Sequence, residues 1–351
     1  MARCFGKVVG ISSACLLCCW MSFFSPVVPQ AAQKEGMLRV ALLLEHDGGW
    51  SALLRRGLEA AAGELPLHAE VLTASEEASR TALFRKTADA FDLVIVASDG
   101  FHEILRDNAA NYRKTMFGCV DAGIRAANIM SVTFADEQAA FLAGAAAAML
   151  TARQNLPGIN SERTLGWLSG DDTPAQRTLL HGFTEGARLV APETRVINGM
   201  SGSFATTGRA VEETRRMLAQ GADVIGLASA AGNVPALEII RESGSYVVGL
   251  DEDQASALPG RVLTSIVKRA DKAVREIVSS AASGHFRGKE VLVFDLQNGG
   301  VDITELFRGA PAVGTWPLDD ARRRLGELRR EIINGGIRIQ SQRDRTLCDC
   351  L

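Results

Sequence analysis

Short, fully apolar runs recur along this chain, and Leu93-Val94-Ile95-Val96 is the plainest of them. A run without polar alternation has no face to give to water. It must be covered on both sides, as the strands of a parallel sheet between two helix layers are. The spacing agrees with that requirement. A strand over 38–44 (LRVALLL) precedes a helix over 51–65, and further strands are predicted over 68–72, 91–97, 114–120, 128–133, 164–168, 194–198, 222–228 and 246–250. Helical periodicity fills most of the gaps between them. The fold class is therefore α/β with doubly wound sheets. The chain has 351 residues, and a usual domain has about 150, so two such units are expected.

Charge narrows the partners. There are 38 basic residues against 41 acidic ones, a net charge of -3, which leaves no basic field able to neutralise many phosphates. Nucleic acid is not an expected partner. Residues 1–33 stand apart from the rest. Arg3 and Lys7 precede an uncharged stretch over 8–33, apolar over 8–24 and followed by Ala31 and Ala32, which is the pattern of an export signal. The expected location is the periplasm or the outer face of the cell membrane. Three forms stay open: lipid attachment at Cys15, which follows Ser12-Ser13-Ala14; cleavage after Ala32 to a free periplasmic protein; and an uncleaved anchor. Four of the seven cysteines lie in this segment. The other three, Cys119, Cys348 and Cys350, make no disulfide framework. Cys119 reads as a small buried hydrophobe, and residues 341–351 as a polar tail.

In doubly wound sheets ligands collect at the carboxyl ends of the strands. The loops expected there are rich in small residues and aspartates: Asp47-Gly48-Gly49-Trp50, Ser98-Asp99-Gly100-Phe101, Asp121-Ala122-Gly123, Ser229-Ala230-Ala231-Gly232-Asn233 and Asp251-Glu252-Asp253-Gln254. Small residues let backbone amides approach a ligand, and carboxylates accept from vicinal hydroxyls. A polar, neutral, hydroxylated ligand fits that offer. Catalysis is not indicated. The five histidines form no HxxxH, there is no Gly-x-Ser-x-Gly elbow, and Asp171-Asp172-Thr173-Pro174 reads more simply as a helix cap than as a calcium-binding run. No catalytic residue, metal or cofactor is expected.

The stretch over 131–144 (SVTFADEQAAFLAG) closely resembles the signature of the basic membrane protein family, the substrate-binding lipoproteins of nucleoside ABC importers. Gly166-Trp167-Leu168-Ser169-Gly170, His181-Gly182-Phe183-Thr184-Glu185-Gly186, Gly249-Leu250-Asp251-Glu252-Asp253-Gln254 and Leu263-Thr264-Ser265-Ile266-Val267-Lys268 follow in the family's order and spacing. The resemblance covers almost everything after residue 38. It implies a type I periplasmic-binding-protein fold, two doubly wound lobes joined by three crossovers that close on the ligand. The first lobe would hold 38–132 and 255–293, the second 133–254 and 294–340. The implied partners are an ABC permease and ATPase, the implied state a monomer, and the implied ligand a nucleoside, purine favoured over pyrimidine. A ligand sensor of the same fold, and a sugar or another small polar ligand, remain alternatives.

By the same resemblance, Asp47, Trp50 and Ser51 fall where the family has an aspartate, a base-stacking aromatic and an amide; Ser51 departs from that amide. Asp121, Asp251 and Lys268 match residues that bond ribose. Gly232 keeps one glycine of the family's turn. The strand over 222–228 lacks the second aromatic, which leaves Phe204 or Phe101 to supply the other face of a base sandwich.

Overall fold

The computed structural model describes residues 37–309 and 316–343. The export signal and the cysteines at 348 and 350 lie outside the described residues. Two six-stranded sheets account for the strands. The first contains β1 (Leu38–Leu44), β2 (Leu67–Thr73), β3 (Leu93–Val96), β4 (Met116–Val120), β5 (Ile129–Phe134) and β11 (Val291–Phe294). The second contains β6 (Thr164–Ser169), β7 (Arg195–Met200), β8 (Ala222–Ala228), β9 (Tyr246–Asp251), β10 (Val262–Lys268) and β12 (Val301–Ile303). The orders, β11-β5-β4-β3-β1-β2 and β12-β10-β9-β8-β6-β7, are the same pattern used twice. All pairings are parallel except that of β12 with β10.

Burial follows position in the sheet. The interior strands β3, β6 and β8 are buried at every residue, which is why their sequences carry no alternation. The edge strand β2 (LHAEVLT) is half open to water and alternates accordingly. Helices cover both faces of each sheet. α1 (Gly49–Glu64) packs against α8 (Ala270–Ala282), and α4 (Asp136–Thr151) against α5 (Pro174–Val190). The α4–α5 contact explains much of the family-like sequence. A Cβ at Gly144 would lie 1.9 Å from the Phe183 carbonyl, and one at Gly186 would lie 1.9 Å from that of Phe141. These glycines are there because the two backbones touch. At the start of α5, Thr173 accepts from the Gln176 N–H, with Pro174 in the first turn, as the capping reading requires. The last helix, α9 (Leu318–Ile333), buries Ala321, Leu325, Leu328 and Ile332, while Arg322 and Arg323 pair with Asp319 and Asp320 on its open side.

The chain passes between the sheets three times: at Ala135 between β5 and α4, at Arg269 between β10 and α8, and over 295–300 between β11 and β12. The middle passage differs from the boundary at 255 expected from the sequence. β10 pairs with β9 over 262–267, so residues 255–268 belong to the second sheet's lobe. That strand is hard to see because its buried positions include Thr264 and Ser265. Their hydroxyls are used locally, Thr264 donating to the Thr304 carbonyl and Ser265 accepting from the Gln254 N–H.

Candidate functional site

β4 and β9 occupy the same place in their two sheets, and each leads into an aspartate in the left-handed backbone region, Asp121 and Asp251, both with φ of 73°. Aspartate tolerates that conformation better than most residues, and it turns both carboxylates out of the sheets at the strand ends. The two lobes thus bring equivalent acids toward the gap between them. Lys268, the last residue of β10, reaches across from the second lobe.

Lys268 is 4% exposed, buried at the end of its strand. Its Nζ donates to both Asp121 oxygens at 3.2 Å and stands 3.1 Å from Asp136 Oδ1. It also lies over the Trp50 ring at 4.8 Å and over Phe134 at 5.0 Å. Burial opposes its charge, but Asp121 and Asp136 outweigh that cost and hold the ammonium above the ordinary lysine range. Asp136 is fully buried in the first turn of α4, where the helix dipole favours an anion.

A second cation completes the cluster. Arg343 donates one nitrogen to the Asp121 backbone carbonyl and the other to the carboxylates of Asp121, at 2.7 Å, and Asp136. Burial raises the Asp121 carboxyl, and Arg343 and Lys268 together pull it below the usual carboxylate value. Asp251 is treated differently. Burial pushes it up to about 6; Lys268 opposes the rise, while Asp121, Asp136 and Glu252 add to it. Among the described residues, no group donates a hydrogen bond to its carboxylate.

The remaining expected residues divide. Trp50 sits in the first turn of α1, its indole N–H donating to the Ala97 carbonyl at 3.1 Å and its ring edge-on to Phe134 at 6.0 Å. Ser51 closes its own loop by donating to the His46 carbonyl at 2.6 Å, so its proton is not offered to the cleft. Asp47 is 83% exposed and pairs with Arg55, away from the acid cluster. Phe101 is fully buried in the first lobe's core and presents no face for stacking. Phe204 is half buried with its ring against Gly170. Gly232 is buried, and a Cβ there would lie 2.3 Å from the Ser229 hydroxyl oxygen, which gives this glycine a packing role.

Sequence reasoning missed two members of the cluster. Asp136 stood inside the family-like stretch but was not singled out there. Arg343 lay in what read as a polar tail, although residues up to 343 are docked, with the Gln342 N–H donating to the Thr178 hydroxyl. No local pattern marks either. At the rim, Arg56 of α1 and Glu252 pair across the lobes at 2.9 Å.

Two matching α/β lobes with polar groups converging between them define the two-lobed fold of type I periplasmic binding proteins. The particular family follows from comparison: the model described as ABC transporter substrate-binding protein, PnrA-like, matches residues 39–341, and the chain belongs to that family. It is a family of transporter binding proteins, not of enzymes. Basic membrane protein A of Borreliella burgdorferi is 27% identical over 221 residues, 62% of this chain and 60% of that protein. The ABC transporter nucleoside-binding protein BmpA of Lactococcus lactis is 28% identical over 215 residues, 56% of this chain and 58% of its own length. The chain spans 50–60% of the length of the curated relatives it matches. A solved ABC transporter solute-binding protein of Aeropyrum pernix shares the fold with a TM-score of 0.77 at 20% identity, over 87% of this chain and 93% of that one. A transcriptional activator of the comK gene from Bacillus halodurans shares it with a TM-score of 0.69 at 22% identity, over 86% and 99%. Among the described residues, no helix is long and apolar enough to cross a membrane.

Proposed function

We propose that this chain captures a nucleoside outside the cytoplasm and delivers it to an ABC permease and ATPase, its lobes closing on the ligand. The observation that carries the reading is Asp251. It is a strand-end carboxylate in the gap between the lobes, held at positive φ, with no hydrogen bond from any described residue and Lys268 among the groups acting on it. Such a group is costly unless something donates to it, and vicinal ribose hydroxyls supply two donors. Trp50 offers a plane for the base, stacking on which contributes about 1–3 kcal/mol per base. A purine gives the larger overlap. The nucleoside-binding relative supports the same class of ligand. Phe204 is the remaining aromatic for the second face. An N-terminal lipid at Cys15 would keep the protein at the membrane, and a monomer suffices for the task.

Calorimetric titration with adenosine, guanosine, inosine, uridine, free bases and ribose tests the proposal. Micromolar binding of nucleosides, purines tightest, is expected. Binding of a free sugar with no nucleoside bound would overturn the ligand assignment and leave the transport role standing.

A further inference from the structure

After α9 the chain runs on for ten described residues, packs Ile337 and Ile339 partly against the core, and is pinned to α5 through Gln342 and Thr178. It then inserts Arg343 between the lobes. The guanidinium touches Asp121 from the first lobe and Asp136 from the start of α4 in the second, with its side chain only 17% exposed. Together with Lys268 it uses both carboxylate oxygens and the backbone carbonyl of Asp121. A guanidinium offers parallel N–H donors to a carboxylate much as a vicinal diol offers O–H donors. The tail therefore holds the acceptor that a ribose would need on the first-lobe side. On the second-lobe side Asp251 has no donor among the described residues. The Arg343 Nε–H is buried with no acceptor among the described residues, so this occupant leaves one of its own donors unsatisfied there and is an imperfect fit.

We propose that the C-terminal tail is an internal competitor of the ligand, with Arg343 occupying the Asp121–Asp136 side of the cleft until a ligand displaces it. This inference rests on the nucleoside reading above for the identity of what displaces the tail, but not for the docking itself. Displacement makes the apparent affinity depend on the tail. The dissociation constant of the intact chain equals the intrinsic one divided by the fraction with the tail undocked, so docking at about ten to one weakens binding roughly tenfold.

Three chains decide it: the intact protein, Arg343→Gln, and a chain ending at residue 340. Each is titrated with the nucleosides named above, and a synthetic peptide of residues 334–347 is added in trans to the shortened chain. The expected result is that both altered chains bind nucleoside about tenfold more tightly than the intact one, as the relation above gives for that docking ratio. The peptide should bind the shortened chain and be displaced by nucleoside. Equal affinity in all three, weaker binding by Arg343→Gln, or no binding of the peptide would overturn the competitor and leave the nucleoside reading untouched. Peptide binding with no nucleoside bound by any chain would support the docked tail and overturn the nucleoside.

Discussion

Replacing Asp251 by asparagine should stabilise the fold at neutral pH while weakening its function, and pH separates the two effects. The Asp251 carboxyl rises from an ordinary value of 3.8 to about 6 in the folded protein, because burial and its acidic neighbours outweigh Lys268. A shift of that size corresponds to about 3 kcal/mol between its two protonation states. The folded-state value lies above the unfolded one, so between them the native protein binds more protons. Stability is then lost as pH rises through that window and levels off above it. Asparagine has the same shape and never ionises. At a pH below both values the wild-type carboxyl is neutral too, and the two proteins differ only by the exchange of an acid for an amide. As pH rises from about 4 through 6 the variant should gain on the wild type by up to about 3 kcal/mol and hold that gap above it. Urea unfolding of both proteins at pH 4, 5, 6, 7 and 8 measures the gap, in which the other titrating groups largely cancel. A gap that stays constant with pH, or widens toward acid, would refute the argument. Losing hydrogen bonds to a charged acceptor should cost ligand binding about 1.5–3 kcal/mol, which calorimetry at pH 7.5 reads directly.

Other outcomes follow from the same contacts. Lys268→Met leaves the buried Asp121 and Asp136 with Arg343 as the one cation hydrogen-bonded to them among the described residues, and should cost about 3–5 kcal/mol in urea unfolding. Trp50→Ala should weaken nucleosides by about 1–3 kcal/mol and leave free ribose nearly unaffected in the same titration; equal losses for both would show that the ring packs on the sugar. Gly186→Ala pushes a methyl into the Phe141 carbonyl and should lower the melting temperature by the equivalent of at least about 1–3 kcal/mol, with ligand affinity retained in the protein that folds. Small-angle scattering should show a smaller radius with ligand than without, and an unchanged radius despite proven binding would remove lobe closure.

The sequence disclosed most where a single physical demand acts on many neighbouring residues. Strands buried on both faces are mostly apolar, so the runs at 93–96, 164–168 and 222–228 could be placed without a partner in view, the last despite the buried Asp223. The α9 face was legible for the same reason, since Ala321, Leu325, Leu328 and Ile332 repeat at helical spacing. β10 escaped because two of its buried positions are hydroxyl residues whose partners, Thr304 and Gln254, are far apart in the chain. Ser51 and Gly232 show why a loop is hard to read from sequence, since a ligand contact and an internal hydrogen bond or close packing leave the same sequence trace. Arg343 lay beyond local reading altogether, its partners being 222 and 207 residues away.

That distance shapes the chemistry of the cleft. Three aspartates meet one lysine between the lobes, and without Arg343 Lys268 would have to offset all of them. With the arginine docked, Asp121 and Asp136 are each shared between two cations, while Asp251, its carboxyl raised to about 6, has no hydrogen-bond donor among the described residues. A neutral diol entering at Asp251 supplies donors to that carboxylate. To reach Asp121 as well, it must expel a cation and leave Lys268 facing three carboxylates. Full engagement of both aspartates therefore works against the charge balance that the docked tail provides. Displacement is easiest when the incoming ligand also gains apolar contact, and Trp50, beside Lys268, is placed to provide it.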